Sequence, residues 1–320
     1  MPIKRPPPSA SGLSAKRSVA AKPPSSGIRG KKPDDSAGAR IVLSIAGFDP
    51  SSGAGVTADL KTFASHGIFG TAAITNLTVQ STVGVEGFEP VSGPFLARTL
   101  EYLCSDLPPA GIKIGMLGTP DVASAVARFL QSRHNGGEAR PALPIVLDPA
   151  LKSSTGRELY PAYGLETLHQ RLLPQINWIT PNWSELGVLA GTAVNSLAQA
   201  EAAAADLARR HPHLHIVVTG GDADPPTDVL CMPGGELHRF PGKRIKTRST
   251  HGTGCAFSSA LLCRLVLGDT PVVAIRAAKN FVAEAMRHAP GLGHGHGPLD
   301  LLWPLGKPKM AKKSAKKRSR

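Results

Sequence analysis

The chain has 320 residues, a length that allows one large α/β domain or two smaller domains. Its net charge of +14 comes from the ends, because residues 1–40 carry nine Lys or Arg against two Asp, and residues 306–320 carry eight Lys or Arg and no acid. Residues 41–305 contain 20 basic and 21 acidic residues, so the region between the ends lacks the strongly basic character of a nucleic-acid-binding domain.

Between residues 40 and 305, buried strands alternate with amphipathic helices. A continuous apolar run predicts a strand covered on both faces, and apolar residues three and four apart predict a helix. The predicted order is strand 40–47, helix 58–67, strand 71–81, helix 94–107, strand 112–117, helix 121–132, strand 144–150, helix 165–173, strand 177–182, helix 195–211, strand 215–221, hairpin 228–240 and helices 255–268 and 270–289.

Repeated strand–helix–strand units predict an α/β domain with a mainly parallel sheet and helices on both faces. In such sheets, ligands bind beyond the carboxyl ends of the strands. Asn195 is the predicted N-cap of the helix at 195–211, and the Pro233-Gly234-Gly235 stretch supplies the turn of the hairpin.

The two ends of the chain have compositions that are typical of disorder. Residues 1–39 are rich in Pro, Ser, Gly and Lys, and residues 306–320 are a lysine run with few apolar residues. Such segments bury too little apolar surface to offset the entropy of ordering, so we predict disordered tails around one domain at 40–305. Solvated extensions are the simpler interpretation, and contacts with nucleic acid or anionic surfaces are the functional alternative.

Cysteine usage and hydropathy point to the cytoplasm. The sequence has no secretory signal and no apolar stretch of about 18 residues, so no membrane span is expected. Its four cysteines form no C-x-x-C pair, which leaves a zinc cluster without support and favours reduced thiols.

A glycine-rich loop follows the first predicted strand, in "RIVLSIAGFDPSSGAGVTADLKTF". Gly47, Gly53 and Gly55 would let the backbone approach a ligand closely. The loop is not a Walker-type phosphate loop because no G-K-[ST] follows it. A tight strand-to-helix connection remains an equal alternative, and Asp59 is a candidate for either a helix cap or a ligand contact.

A second glycine-rich stretch, "STHGTGCAFSSALL" at 249–262, leads into a predicted helix. The first N–H groups of a helix are unpaired and lie at the positive end of its dipole, so they attract anions. Gly252 and Gly254 would let these groups converge on a phosphoryl group, and Thr250, His251 and Thr253 would add polar caps. The same field is expected to lower the pKa of Cys255, placing a thiolate near the attacking hydroxyl. A plain N-cap with a packed cysteine is the alternative.

Polar side chains follow two neighbouring predicted strands. Asp148 ends the strand in "VLDPA", and Asn182 and Glu185 follow the strand in "TPNWSEL". Carboxylate and amide oxygens at one edge of a sheet could hold Mg²⁺, directly or through water, against nucleotide phosphates. Each of these residues could equally cap a helix.

Seven segments of the chain, taken in order, resemble the hydroxymethylpyrimidine/phosphomethylpyrimidine kinase family of thiamin biosynthesis. The segments are "GFDPSSGAGVTADLKTF", "TVQST", "KIGML", "VLDP", "TPNWSE", "STHGTGCAFSSAL" and "GHGHGP". The resemblance covers about residues 41–303 and implies a ribokinase-like αβα sandwich with a mainly parallel central sheet. It also implies ATP- and Mg²⁺-dependent phosphorylation of 4-amino-5-hydroxymethyl-2-methylpyrimidine and then of its monophosphate.

The family pattern assigns roles to matching positions of this chain. It places four residues around the pyrimidine: Gln80, Gly47, Asp59 and Met116. It places Asn182, Thr219 and Gly221 on the ATP side, and Glu185 on the metal and phosphate side together with Asp148. It matches the backbone of Gly252, Thr253, Gly254 and Cys255 to an anion hole, with Cys255 where the wider superfamily often has an aspartate base.

Five positions depart from the family pattern. Phe48 and Ser52 differ from the family in the first glycine-rich loop, and Phe48 could reshape the pyrimidine pocket. Ser154 stands where the family has a lysine, and Thr219 and Asp222 replace a cation and an imidazole. These changes leave open whether both phosphorylations occur. A pyridoxal-type kinase of the same fold and a pyrimidine-binding protein that has lost turnover are the alternatives, and a homodimer is left open.

Overall fold

Nine strands, counted over the described residues, form one sheet in the computed structural model. They are β1 (Ile41–Phe48), β2 (Phe69–Ser81), β3 (Gly84–Pro90), β4 (Ile112–Ile114), β5 (Ile145–Leu147), β6 (Trp178–Ile179), β7 (His215–Val218), β8 (Thr227–Cys231) and β9 (Leu237–Pro241). Their order is β3-β2-β1-β4-β5-β6-β7-β8-β9. The pairings from β2 through β7 are parallel, whereas β3, β8 and β9 add antiparallel pairings at the two edges.

The structure describes residues 40–134, 143–153, 155–221 and 223–306. The predicted tails at 1–39 and 306–320 lie outside these residues except for Gly306, as do Ser154 and Asp222. The described residues belong to one compact unit.

Helices connect the strands. They are α1 (Gly55–Ser65), α2 (Gly93–Asp106), α3 (Pro120–His134), α4 (Leu165–Thr167), α5 (Trp183–Ala190), α6 (Leu197–Arg210), α7 (Thr253–Val266) and α8 (Pro271–Arg287). The short α4 lies in an irregular segment with 3-10 turns at Ala162–Gly164 and Leu173–Gln175 and a π turn at Leu168–Leu172. A further 3-10 turn spans Trp303–Leu305.

The helices cover both faces of the sheet, and each face has its own apolar core. On one face, α1, α7 and α8 contribute Phe63, Phe257 and Phe281 to a buried cluster. On the other face, α2, α3, α5 and α6 contribute a second cluster that includes Leu100 and Leu186. This arrangement confirms the predicted α/β sandwich with a mainly parallel sheet.

Local sequence accounts for most elements. The central strands are short apolar runs whose residues are buried on both sides, as in β5, where all three residues are buried. The predicted hairpin at 228–240 is confirmed by the antiparallel pairing of β8 with β9. Among the described residues, no helix is both long and apolar enough to cross a bilayer.

Several details differ from the predictions. Strand β3 and helix α5 were not predicted, because both are short and carry glycine or polar residues at the positions that usually signal an element. The N-cap of α6 is Ser196, whose side chain accepts the N–H of Gln199, so the prediction of Asn195 is wrong. The predicted helix at 165–173 is replaced by the irregular segment described above.

Candidate active site

The two glycine-rich segments meet at the carboxyl edge of the sheet, where β1 and β5 end. A Cβ atom on Gly252 would collide with the carbonyl oxygen of Gly53 in the first loop. A Cβ atom on Gly53 would in turn collide with the imidazole of His251. Glycine therefore fits both positions, because the backbone of Gly53 fills the space beside Gly252 and the side chain of His251 fills the space beside Gly53.

Helix α7 begins at this junction with an open N-terminus. Its N-cap, Gly252, has a left-handed backbone with φ of 81° and contributes no side-chain hydrogen bond. The N–H groups of Thr253, Gly254 and Cys255 cannot find acceptors within the helix. Gly254 is exposed, so the positive end of the helix is accessible to an anion, as the sequence predicted.

The thiol of Cys255 lies half-buried in the first turn of α7. Burial raises its pKa to about 12, because the thiolate would lose its hydration, and the nearby carboxylates of Asp148 and Asp59 add to the rise. The ammonium group of Lys113 opposes this shift without cancelling it. The prediction of a lowered pKa is wrong, since burial and anionic neighbours outweigh the field of the helix. Cys255 is a neutral thiol at physiological pH.

Two carboxylates end the neighbouring strands beside α7. Asp148 follows β5 and accepts a long hydrogen bond of 3.4 Å from Ser258 Oγ of α7. Burial raises the pKa of Asp148, although Lys113 acts in the opposite direction. Glu185 lies in α5, where burial and the negative charge of Asp148 raise its pKa to about 7. The two carboxylates therefore repel each other in a site that water hardly reaches.

The donor set at this edge fits magnesium. Glu185 Oε1 accepts the N–H of Leu151 at 3.2 Å and Oε2 accepts the N–H of Asn182 at 3.0 Å, which holds the carboxylate in place. Mg²⁺ prefers hard oxygen ligands and is usually bound by one or two carboxylates together with water and phosphate. No group of three His, Cys, Asp or Glu side chains in the described part of the chain is arranged to hold a metal alone. An ion here would need those additional ligands.

The residues expected on the ATP side lie on adjoining strand ends. Asn182 Oδ1 accepts the N–H of Glu185 at 2.9 Å and caps α5, so its side chain does serve as a helix cap. Thr219 pairs with Asn182 through an isolated bridge after β7, and its N–H donates to the carbonyl of Pro181 at 2.9 Å. Gly221 is exposed, and its carbonyl accepts a weak hydrogen bond from Arg244 at 3.4 Å.

Of the residues expected around the pyrimidine, Gln80 lies beside the open end of α7, and Gly47 and Met116 adjoin each other. Gln80, near the end of β2, places its amide 3.1 Å from Nε2 of His251, the residue that precedes Gly252. A Cβ atom on Gly47 would lie 3.3 Å from Met116 Sδ, so these two residues adjoin each other at the ends of β1 and β4. The structure thus brings Gln80 within one residue of the N-terminus of α7.

Asp59 has a different environment. Its carboxylate has no exposed surface and is paired within the protein. Oδ2 accepts from Ser44 Oγ at 2.6 Å and from Lys113 Nζ at 3.0 Å, and Oδ1 accepts from Ser259 Oγ at 2.7 Å. The expected contact between Asp59 and the ring is therefore not supported, because its oxygens already have buried partners.

Sequence reasoning missed two charged residues of this region and gave a third a different role. Lys113 and Asp49 stand only as letters of larger motifs, and His251 is predicted only as a polar cap of the helix. A signal for Lys113 was present, since a lysine in the centre of the buried strand "IKI" requires an internal counterion. Asp49 and His251 lie in loops about 200 residues apart, and their contact depends on how the chain folds.

A family model described as phosphomethylpyrimidine kinase matches residues 49–300. Among curated proteins, the hydroxymethylpyrimidine/phosphomethylpyrimidine kinase of Haemophilus influenzae is 36% identical over 264 residues, covering 81% of this chain and 95% of that protein. The enzyme of the same name from Bacillus subtilis is 35% identical over 260 residues, covering 81% and 93%.

Solved structures agree with the sequence comparisons. The pyridoxal kinase of Staphylococcus aureus in complex with ADP has a TM-score of 0.73 and 29% identity, covering 83% of this chain and 94% of that one. The phosphomethylpyrimidine kinase of Clostridium difficile has a TM-score of 0.65 and 28% identity, covering 77% and 99%. The fold is ribokinase-like, and the extent of the family match together with these identities shows that the chain belongs to the phosphomethylpyrimidine kinase family.

Proposed function

We propose that the protein uses ATP to phosphorylate 4-amino-5-hydroxymethyl-2-methylpyrimidine and then its monophosphate, in thiamin biosynthesis. Relatives that match over four-fifths of this chain have the name hydroxymethylpyrimidine/phosphomethylpyrimidine kinase. The observation that carries the proposal is the junction of Gln80 with the open N-terminus of α7. This junction would place the Gln80 amide, which can hydrogen-bond a pyrimidine, beside the N–H groups of α7, which can bind a phosphoryl group.

Phosphoryl transfer to the substrate hydroxyl does not require a strong base. Phosphoryl transfer passes through a loose transition state, so positioning and charge stabilisation account for most of the acceleration. The N–H groups of Thr253 to Cys255 would stabilise the transferring group through fixed dipoles. The neutral thiol of Cys255 would orient the substrate hydroxyl, because a pKa of about 12 leaves almost no thiolate to act as a base.

We propose that Asp148 and Glu185 hold Mg²⁺, directly or through water. The ion would neutralise phosphate charge during transfer. The buried carboxylates, whose pKa values are raised, would each gain a counterion when the metal binds. Asn182, Thr219 and Gly221 would border the nucleotide, with Asn182 acting mainly through its backbone because its side chain caps α5.

A pyridoxal-type kinase is the second candidate function. The pyridoxal kinase of S. aureus in complex with pyridoxal has a TM-score of 0.72 and 28% identity with this chain. Both candidate substrates present a hydroxymethyl group on a nitrogen heterocycle. The sequence relatives favour the pyrimidine, because they are more similar to this chain than the pyridoxal kinases are.

The deciding experiment compares ATP turnover by the full chain with three acceptors, namely the free pyrimidine, its monophosphate and pyridoxal. We expect turnover with both pyrimidines and a lower kcat/KM with pyridoxal. The Cys255→Ala variant should bind the free pyrimidine with unchanged affinity and phosphorylate it more slowly. Preference for pyridoxal would overturn the substrate assignment, and tight pyrimidine binding without ADP release would identify a binding protein that has lost turnover.

We also propose a cytoplasmic location, supported by the dependence on ATP and by four free cysteines. Cell fractionation tests it directly.

For the basic tails, deletion of residues 1–38 and 307–320 should abolish any salt-dependent binding of nucleic acid or anionic vesicles and spare kinase activity. Light scattering of the full chain would decide between a monomer and a homodimer.

A further inference from the structure

The carboxylate of Asp49 organises the first glycine-rich loop. Its Oδ1 accepts the N–H of Ser51 at 2.8 Å, and its Oδ2 accepts the N–H groups of Gly53 at 3.2 Å and Ala54 at 2.8 Å. Ser51 Oγ adds a further hydrogen bond at 3.0 Å. Although burial alone would raise the pKa of Asp49, these donors and His251 lower it overall. Asp49 is therefore an ionised carboxylate that only accepts hydrogen bonds.

This carboxylate determines where His251 carries a proton. Nε2 of His251 lies 2.8 Å from Asp49 Oδ2. An ionised carboxylate cannot donate, so Nε2 must carry the proton that joins them. The imidazole is largely buried and packs against the backbone of Gly53, and the backbone N–H of His251 is held by the carbonyl of Gly297 at 3.1 Å.

The protonated Nε2 in turn selects one orientation of the Gln80 amide. The amide nitrogen of Gln80 lies 3.1 Å from Nε2 of His251, and its oxygen lies 3.2 Å from Thr78 Oγ1. Two N–H donors would face each other in that orientation. A half-turn of the amide, which keeps the same shape, removes this clash, because the single N–H of Nε2 is then shared between Asp49 Oδ2 and the Gln80 oxygen. Thr78 then accepts from the amide nitrogen while its own proton goes to the carbonyl of Phe48 at 2.9 Å.

We propose that Asp49 and His251 are positioning residues that fix the Gln80 amide with its oxygen toward His251, so that one amide N–H and one oxygen lone pair remain for an aminopyrimidine. The inference rests on the proposed function. A ring nitrogen next to an amino group presents an acceptor beside a donor, which matches what the oriented amide offers. A ring without the amino group lacks the donor half of that pair.

The test compares three full-length proteins, the wild type, His251→Leu and His251→Gln. Leucine fills similar space without a donor, whereas the amide of glutamine can reach both Asp49 and Gln80. We expect His251→Leu to raise KM for the aminopyrimidine about tenfold and to leave KM for ATP within about twofold. His251→Gln should recover most of the loss. The preference for the aminopyrimidine over its analogue without the amino group should shrink in His251→Leu and return in His251→Gln.

A double-mutant cycle with Gln80→Leu shows whether His251 acts through Gln80. In the Gln80→Leu background, His251→Leu should add less than about a twofold change in KM. His238→Leu, a histidine paired with Glu236 on the β8–β9 hairpin, is the matched control and should retain wild-type constants. An active wild type with fully additive variants, or equal behaviour of His251→Leu and His251→Gln, overturns this inference alone. A wild type that phosphorylates neither pyrimidine overturns the proposed function as well.

Discussion

Two buried carboxylate sites adjoin the first turns of α7, and they are built in opposite ways. Asp59 has no exposed surface and is fully paired, with Lys113 as its counterion and two serine hydroxyls as donors. Asp148 and Glu185 are almost as buried, but burial raises the pKa of both carboxyls, and the negative charge of Asp148 helps to raise the pKa of Glu185 to about 7. The first site is complete because Lys113 pairs directly with Asp59, whereas the second is unbalanced because no direct ion pair joins Asp148 or Glu185 to a cation among the described residues.

The contrast separates a structural charge from a functional one. Ionising a buried group is costly unless the protein supplies a counterion and hydrogen bonds. Asp59 has both a counterion and hydrogen bonds, and through them it connects α1 to α7 and β4. The pair of Asp148 and Glu185 retains an unbalanced charge at the edge where an anion and a metal would meet, and perturbed pKa values of this kind mark candidate functional sites.

Removing the counterion of the complete site should have the largest effect. Lys113→Met leaves the Asp59 carboxylate buried without its cation, which typically destabilises a protein by about 3–5 kcal/mol. Urea unfolding followed by circular dichroism measures the loss. The double variant Lys113→Met/Asp59→Asn should recover most of it, because Asp59 then no longer leaves a buried charge without its cation.

The matched control is an exposed ion pair. Arg209 on α6 pairs with Asp206 at 2.8 Å, and both side chains are largely exposed. Arg209→Met should change the free energy of unfolding by less than about 1 kcal/mol. A comparable loss of unfolding free energy in Arg209→Met and Lys113→Met would show that the buried ion pair stabilises the protein no more than the exposed one does.

Removing charge from the second site should have its main effect on activity. Glu185→Gln can keep the capping-box hydrogen bond from the N–H of Asn182 but loses the one from the N–H of Leu151, because an amide has a single acceptor oxygen. We expect kcat at limiting Mg²⁺ to fall by about 10–100-fold, with partial recovery at higher Mg²⁺. Steady-state kinetics over a magnesium titration provide the measurement, and Glu166→Gln on the surface is the control.

In metal-free protein, the difference in unfolding free energy between Glu185→Gln and the wild type should depend on pH. The folded pKa of Glu185, about 7, is above its ordinary value of 4.5, so the folded state holds this proton more tightly than the unfolded chain. The stability associated with that proton is lost as pH rises from 4.5 to 7. The advantage of Glu185→Gln over the wild type should therefore grow between pH 5 and pH 8. A difference that is independent of pH would refute the raised pKa.

Much of the fold could be predicted from local patterns. The runs of β1 and β5 are apolar apart from Ser44, β4 is apolar apart from Lys113, and the amphipathic helices α2, α3 and α8 show clear spacing. Strand β3 could not be predicted, because "GVEGFEP" has two glycines, two glutamates and a final proline, and it pairs only with the neighbouring strand β2. The break-up of the helix predicted at 165–173 likewise depends on packing that local sequence does not specify.

The site was only partly predictable for a similar reason. The glycines at 252 and 254 and the carboxylates at strand ends mark it through local motifs. The environments of Asp59 and Cys255 depend on Lys113, which comes from another strand. A helix N-terminus alone suggested a thiolate, but the balance of burial and neighbouring charge decides the pKa, and that balance exists only in the folded protein.

The smallest expected effect distinguishes the two sites through adjacent serines of α7. Ser258 and Ser259 are both fully buried, but Ser259 Oγ donates to Asp59 at 2.7 Å, whereas Ser258 Oγ is 3.4 Å from Asp148 and also bonds the carbonyls of Gly254 and Cys255.

Ser259→Ala removes a hydrogen bond to a buried charge and should cost about 1.5 kcal/mol of unfolding free energy. Ser258→Ala removes a long contact to a carboxylate whose raised pKa already reflects poor stabilisation, so it should cost less than about 0.5 kcal/mol. Paired urea titrations of the two variants give the difference directly. Equal losses would mean that both carboxylates depend on the protein to a similar degree, and the distinction between a complete and an unbalanced site would fail. A larger loss of unfolding free energy in Ser259→Ala would show that Asp59 contributes more to stability than Asp148 does. Asp148 would then be the carboxylate that is available to interact with a ligand.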